Sequence, residues 1–173
     1  SVGSAFYPIS PAASVRVSCD LTSTLDLVVL RRQFGAVSGT ITGIGRYLKE
    51  QNPKIRIVGV DPVGSLLFET HKLGHVPDDP HPKTYKTEGI GEDFLPSALD
   101  LSVVDEVLQV GDKETFLTTR RLVREEGIFC GVSSGATFAA ALKVAKRAAK
   151  GSVILAMLPD TGERYLSTFL FEG

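Results

Sequence analysis

Apolar and polar positions along this chain fall into blocks that alternate between a strand-like and a helix-like pattern. Leu25 to Leu30 (LDLVVL) is a short, mostly apolar run of the kind that forms a buried strand. From Gly39 to Glu50 the spacing becomes helical, with Ile41, Ile44 and Leu48 on one face and Arg46, Lys49 and Glu50 outside. Pro53 ends that helix, and Ile55 to Asp61 (IRIVGVD) is a second strand, apolar enough to be covered on both faces. Residues 69 to 86 are polar and proline-rich, which predicts a surface loop.

A third strand is expected near Val103 to Val110. A helix over Lys113 to Glu126 should follow, with Phe116, Leu117 and Val123 turned inward and Gly127 ending it. Ser133 and Ser134 stand at the N-cap of the next helix, which should bury Phe138, Ala141, Leu142 and Ala145 and close at Gly151. Ser152 to Leu158 reads as the last strand and Gly162 to Phe171 as a short final helix. Strands alternate with helices across connections too long for hairpins. The expected fold is therefore α/β, a doubly wound parallel sheet with helices on both faces in three layers.

Composition narrows the function. The 173 residues are 43% apolar and 23% charged, enough for a real core, and the net charge of −1 offers no electrostatic reason to expect nucleic acid or an anionic membrane as partner. The longest apolar run, Val153 to Leu158, is too short to span a bilayer. Two cysteines, Cys19 and Cys130, make no disulfide framework, so a reducing cytoplasm is the expected location. The chain starts without methionine and without a recognisable signal peptide, as a fragment or a processed chain would.

Ligands of open parallel sheets sit at the carboxyl ends of the strands, where loops feed helix N-termini. Four glycine-bearing stretches fall at such places: Gly39–Thr40, Glu88-Gly89-Ile90-Gly91, Gly131-Val132-Ser133-Ser134-Gly135 and Pro159-Asp160-Thr161-Gly162. Glycine lets a ligand approach the backbone, and exposed helix N–H groups favour an anion. With their flanks, the segments GTITGIGRYLKE, IVGVDPVGS, YKTEGIGEDFLP, EEGIFCGVSSGA and LPDTGERYLSTFLF resemble, in order and spacing, the cystathionine β-synthase and cysteine synthase family. These are pyridoxal-phosphate enzymes of fold type II. The resemblance runs from about Gly39 to Gly173 and leaves residues 1–38 as an atypical N-terminal segment.

The resemblance implies pyridoxal 5'-phosphate as cofactor, a small amino-acid substrate, and a homodimer in the intact enzyme. It gives Ser133 the role of hydrogen-bonding the cofactor's pyridine nitrogen. A neutral hydroxyl there, in place of a carboxylate, suits elimination from the β carbon. Ser38, Gly39 and Thr40 match the end of the phosphate loop, Asp160 lies near the ring nitrogen, and Glu88, Gly89 and Gly91 line the substrate side. The reaction implied is β-replacement on serine or an O-activated serine, giving cystathionine with homocysteine or cysteine with sulfide. Glu88 and Asp93 within YKTEGIGEDFLP lean to the first; GERYLST fits the second equally.

Two departures matter. The family's phosphate loop reads Gly-Thr-Gly-Gly-Thr, whereas Ala36-Val37-Ser38-Gly39-Thr40 stands here, with a β-branched residue where the backbone must wrap an anion. The family also carries its cofactor on a lysine of a Ser-x-Lys motif upstream of that loop, and grips the substrate carboxylate with a Ser/Thr-Gly-Asn loop. Neither motif is in this sequence, whose first lysine is Lys49. No catalytic Schiff-base lysine can be named, and the chain alone is not expected to turn over. It would be part of a longer enzyme, the product of a rearranged or frame-slipped gene, or a non-catalytic binding or scaffold paralogue. The abrupt onset of the resemblance at Gly39 favours the first two.

Competing readings are weaker. Glycines at 35, 39, 43 and 45 do not space as Gly-x-Gly-x-x-Gly, which argues against a dinucleotide site ending at Asp61. His71, His75 and His81 with Asp78 and Asp79 could suggest a metal, but Pro77, Pro80 and Pro82 break the helix that would align them. Cys130 is expected to be a buried filler, and Arg120, Arg121, Arg124, Glu125 and Glu126 a solvated helix face.

Overall fold

The structure, a computed structural model, describes the strand backbones at 5–10, 13–17 and 27–31 and residues 39–171. Strands β1 (Ala5–Ser10) and β2 (Ala13–Val17) pair antiparallel as a hairpin. The remaining strands are β3 (Leu27–Arg31), β4 (Arg56–Pro62), β5 (Glu106–Val110) and β6 (Ile154–Ala156), and they form one parallel sheet in the order β5-β4-β3-β6. The segment 1–38 thus contributes β3, which pairs with β4 on one side and β6 on the other.

Helix α1 (Gly39–Gln51) crosses from β3 to β4, and α2 (Leu67–Leu73) follows β4. Helices α3 (Asp112–Glu126) and α4 (Val132–Ala145) lie between β5 and β6. Alternation along β4 divides the core between the faces. Ile57 packs with Ile41, Leu48 and Val104 on the α1 side, whereas Val58 and Val60 pack with Ala136, Ala139 and Ala140 of α4. Helix α3 stacks on α4 and encloses Leu122, Cys130 and Phe138.

Several elements differ from the sequence pattern. Residues 69–86 do not form a loop throughout, because α2 takes Leu67–Leu73 before Gly74, at φ +80, stops it. On α3 the buried residues are Thr115, Thr118, Thr119 and Leu122, while Leu117 is exposed. The cause is Gly135 on α4, whose missing side chain lets α3 come so close that an added Cβ would collide with Thr119 Oγ1 and the Thr115 carbonyl. Only small or β-branched side chains fit that seam. Arg120 is not merely solvated: its Nε and Nη2 donate to the carbonyls of Leu170 (2.5 Å) and Phe169 (2.9 Å). The final helix shrinks to a 3-10 turn at Gly162–Tyr165, and the last strand to three residues.

Candidate functional site

The winding runs from β3 through β4 to β5 and then returns to the far side of β3 for β6, so the sheet reverses between β3 and β6. Loops leaving the carboxyl ends of these two strands flank the crevice where open α/β sheets bind ligands. The loop after β6 carries Pro159–Thr161. The loop after β3 carries Ala36, Val37 and Ser38, which lie outside the described residues; Gly39 (exposed) and Thr40 (half-buried) begin α1, where free N–H groups of a first helical turn point outward.

The N-terminus of α4 meets the loop after β6 closely. Gly131, not a serine, is the N-cap, which makes Ser133 and Ser134 the second and third helical residues. Gly131 N donates to the Asp160 carbonyl (3.1 Å) and Gly162 N to the Phe129 carbonyl (3.1 Å), an antiparallel bridge centred on Cys130 and Thr161. Both glycines are required by contact. A Cβ on Gly131 would collide with Asp160 and Tyr165, and one on Gly162 with the Phe129 ring.

Within this knot the two serines behave differently. Ser134 Oγ donates to Asp160 Oδ1 at 2.5 Å, and Tyr165 Oη donates to Asp160 Oδ2 at 2.9 Å. Ser133 is fully buried, yet its hydroxyl has no hydrogen-bond partner among the described residues. Buried hydroxyls are normally satisfied, because leaving one unpaired costs about 1–3 kcal/mol. Thr115 Oγ1, on α3, is likewise without a partner among the described residues; of the two hydroxyls, that of Ser133 stands beside the loop after β6. Cys130 beside it is no nucleophile: burial, and then the negative charge of Asp160, push its thiol up to about 12.

The Glu88–Gly91 turn is held over the carboxyl ends of β4 and β5. Asp112, the first residue of α3, accepts from Lys86 N (2.8 Å), Thr87 N (3.0 Å) and Thr87 Oγ1 (2.6 Å). On the other side Glu92 N donates to Ser65 Oγ (2.9 Å), and Ser65 Oγ donates to the Glu92 carbonyl (3.0 Å). Gly89 and Gly91 both have φ +79, and a side chain on Gly91 would strike Pro62 and Tyr85. Glu88 itself is exposed. Among the described residues no group of three or more His, Cys, Asp or Glu could hold a metal ion, and no helix is long and apolar enough to cross a membrane.

Sequence reasoning did not find the roles of Ser134, Tyr165 or Asp112. Position was the available signal for two of them, since Ser134 lies inside the Gly131–Gly135 stretch and Tyr165 three residues past Gly162, whereas Asp112 is near none of the stretches singled out.

Comparison with known proteins gives the family and the fold. Residues 33–160 match the signature of pyridoxal-phosphate dependent enzymes. The chain is 44% identical over 136 residues to O-ureido-L-serine synthase of Streptomyces lavendulae, which covers 79% of this chain and 39% of that protein. It is 40% identical over 159 residues to cystathionine β-synthase of Mus musculus, covering 92% and 27% respectively. A solved O-ureido-L-serine synthase superposes with a TM-score of 0.75 at 40% identity, over 86% of this chain and 43% of that one. An O-acetylserine dependent cystathionine β-synthase from Helicobacter pylori gives 0.72 at 38%, over 86% and 44%. The chain therefore spans only 39% and 27% of the lengths of these two curated relatives.

Proposed function

This chain belongs to the pyridoxal-phosphate dependent enzymes, and from that premise we propose that it builds the ring-nitrogen side of a site for β-replacement on serine or an O-activated serine. The observation that carries the reading is the buried, unpartnered hydroxyl of Ser133. It fits a pyridine nitrogen, a neutral acceptor that needs one donor and no charge. When bound, pyridoxal phosphate supplies an electron sink for the α carbon of an amino acid, which lets a β substituent leave and a nucleophile replace it. Ser133 holds the ring nitrogen with a neutral donor, which keeps that sink moderate.

Gly39 and Thr40 offer the phosphate a helix N-terminus, with Gly39 open to close approach, and Ser38, outside the described residues, joins them by its place in the sequence. Glu88, Gly89 and Gly91 face the substrate from a turn stiffened at both ends. Homocysteine is the favoured acceptor, since cystathionine β-synthases recur among the relatives. Sulfide, as in a cysteine synthase, is the second choice, supported by GERYLST. No lysine precedes Lys49, and Lys49 pairs with Asp105 at 2.8 Å. The chain by itself holds the ring without a covalent anchor and does not turn over; the intact enzyme works as a homodimer.

The test is titration of the chain with 4'-deoxypyridoxine 5'-phosphate, which lacks the aldehyde and so cannot label lysines. Saturable one-to-one binding is expected, weakened about fivefold or more by Ser133→Ala, the loss of one neutral hydrogen bond. Phosphopyridoxyl-L-serine should bind more tightly than its tryptophan counterpart. No saturable binding, or indifference to Ser133→Ala, would overturn the assignment, and a preference for the tryptophan conjugate would overturn the substrate class. Borohydride reduction with pyridoxal phosphate should label lysines sparsely. One lysine labelled specifically and protected by serine would refute the absence of an anchor.

A further inference from the structure

We infer that Asp160 is a positioning residue, acting through Ser134 to fix the first turn of α4 so that the neighbouring Ser133 hydroxyl is reserved for the cofactor's ring nitrogen. The inference rests on the cofactor reading of Ser133 and assigns Asp160 a task one step removed from the ring itself.

Successive residues of a helix are turned by about 100° around its axis, so Ser133 and Ser134 leave the first turn of α4 in different directions. The carboxylate of Asp160 has taken one of them. Its Oδ1 accepts from Ser134 Oγ and its Oδ2 accepts from Tyr165 Oη. Each oxygen thus already holds a hydroxyl donor, and the backbone of the same residue accepts from Gly131 N. Three anchors converge on one residue, two of them on the helix whose second residue is Ser133.

This arrangement has two chemical consequences. A carboxylate beside a helix N-terminus is favourable, and an uncommitted one would draw any nearby hydroxyl, Ser133 included. Bound to Ser134 and Tyr165, Asp160 leaves the Ser133 hydroxyl without a partner among the described residues. Second, a carboxylate turned toward a pyridine nitrogen favours its protonated form, a stronger electron sink than β-replacement uses. Two hydroxyl donors hold this carboxylate to the Ser134 side of α4's first turn. The role is one of placement, not charge, and an amide should fill it: an Asn side chain can accept from Tyr165 with its oxygen and donate to Ser134 with its NH₂.

The experiment uses 4'-deoxypyridoxine 5'-phosphate labelled with ¹⁵N in the ring, bound to the full chain. Affinity and the ring-nitrogen resonance are read together, and far-UV circular dichroism checks that each variant is folded. Asp160→Ala should weaken binding roughly tenfold and move the resonance toward its position in Ser133→Ala. Asp160→Asn should restore both values. Tyr165→Phe, which removes one of the two donors and leaves the backbone anchors, should fall between wild type and Asp160→Ala and keeps the test decisive if Asp160→Ala does not fold. An unchanged resonance in Asp160→Ala and Tyr165→Phe while Ser133→Ala shifts it would overturn this inference alone. An Asp160→Asn variant as impaired as Asp160→Ala would overturn it too, by showing that charge is what matters. If wild type fails to bind, or Ser133→Ala binds as wild type does, the cofactor reading falls and takes this inference with it.

Discussion

Replacing Gly135 by alanine tests whether the contact between α3 and α4 is as close as described. By helix propensity alone the change should stabilise an interior helical position by about 1 kcal/mol. At Gly135 the new methyl would meet Thr119 Oγ1 and Cβ and, at 2.8 Å, the Thr115 carbonyl. A backbone carbonyl cannot swing away, and Thr119 can move only by giving up its buried bond to Thr115 O, 2.9 Å long. That bond contributes about 1 kcal/mol, and overpacking a filled seam costs about 1–3 kcal/mol more. The net expectation is a loss of about 1–3 kcal/mol. Gly43, in α1, is the internal control: it is exposed with nothing within 4 Å of an added Cβ, so Gly43→Ala should gain up to about 1 kcal/mol. In urea unfolding followed by circular dichroism, with a slope of about 2 kcal/mol/M, the two midpoints should move in opposite directions, Gly135→Ala down by about 0.5–1.5 M. In a Thr119→Ala background the cost of Gly135→Ala should shrink by about 1 kcal/mol. A Gly135→Ala midpoint at or above wild type would refute the close contact.

Three further outcomes follow from named contacts. Native Cys130 should react with iodoacetamide at pH 8 at least a hundredfold more slowly than in urea, since a thiol pushed up to about 12 holds little thiolate; mass spectrometry of the Cys130 peptide, with equal rates refuting its burial, reads this out. Asp105 sits below its ordinary value of 3.8, because burial, which raises it, is outweighed by bonds from Lys49 and Ile57 N. The stability it contributes is present above about pH 3.8 and lost as pH falls below that, so Lys49→Met should flatten the acid limb of a stability–pH profile while a parallel profile would count against the pairing. Asp112→Ala removes three acceptor contacts from residues 86 and 87, and a buried Thr87 left without them should cost about 2–3 kcal/mol and expose its amide to hydrogen exchange, whereas unchanged protection would show that the turn is held elsewhere.

How much of this was legible in the chain varied with the physics of each element. Strands β3 and β4 and helix α1 were readable because a two-sided core and a 3.6-residue stripe both leave strong apolar patterns. Helix α2 was hidden in a polar stretch because seven residues carry too little periodicity. Its His71 Nε2 lies 2.9 Å from the Val104 carbonyl, a contact between segments distant in sequence. The inward face of α3 was misread because apolarity selects Phe116 and Leu117, whereas the space beside Gly135 selects threonines. Ser133 could be named as partner of a ring nitrogen only through the resemblance to a known family. Its difference from Ser134 depends on Asp160 and Tyr165, which lie far along the chain, and no local pattern encodes that pairing. Ser38 lies outside the described residues.

The sheet order also has a consequence for how the molecule comes into being. β3, the strand at the switch point, is made well before its partner β6, with Leu27 pairing to Ile154. During synthesis β3 can pair with β4, while its other edge stays bare until β6 emerges. The crevice between β3 and β6, Asp160 and Tyr165 included, is thus completed only once the residues through Tyr165 have left the ribosome. A nascent chain stalled before Ile154 should present a sticky half-sheet to chaperones and no site to any ligand, which ties the first appearance of binding to the docking of β6.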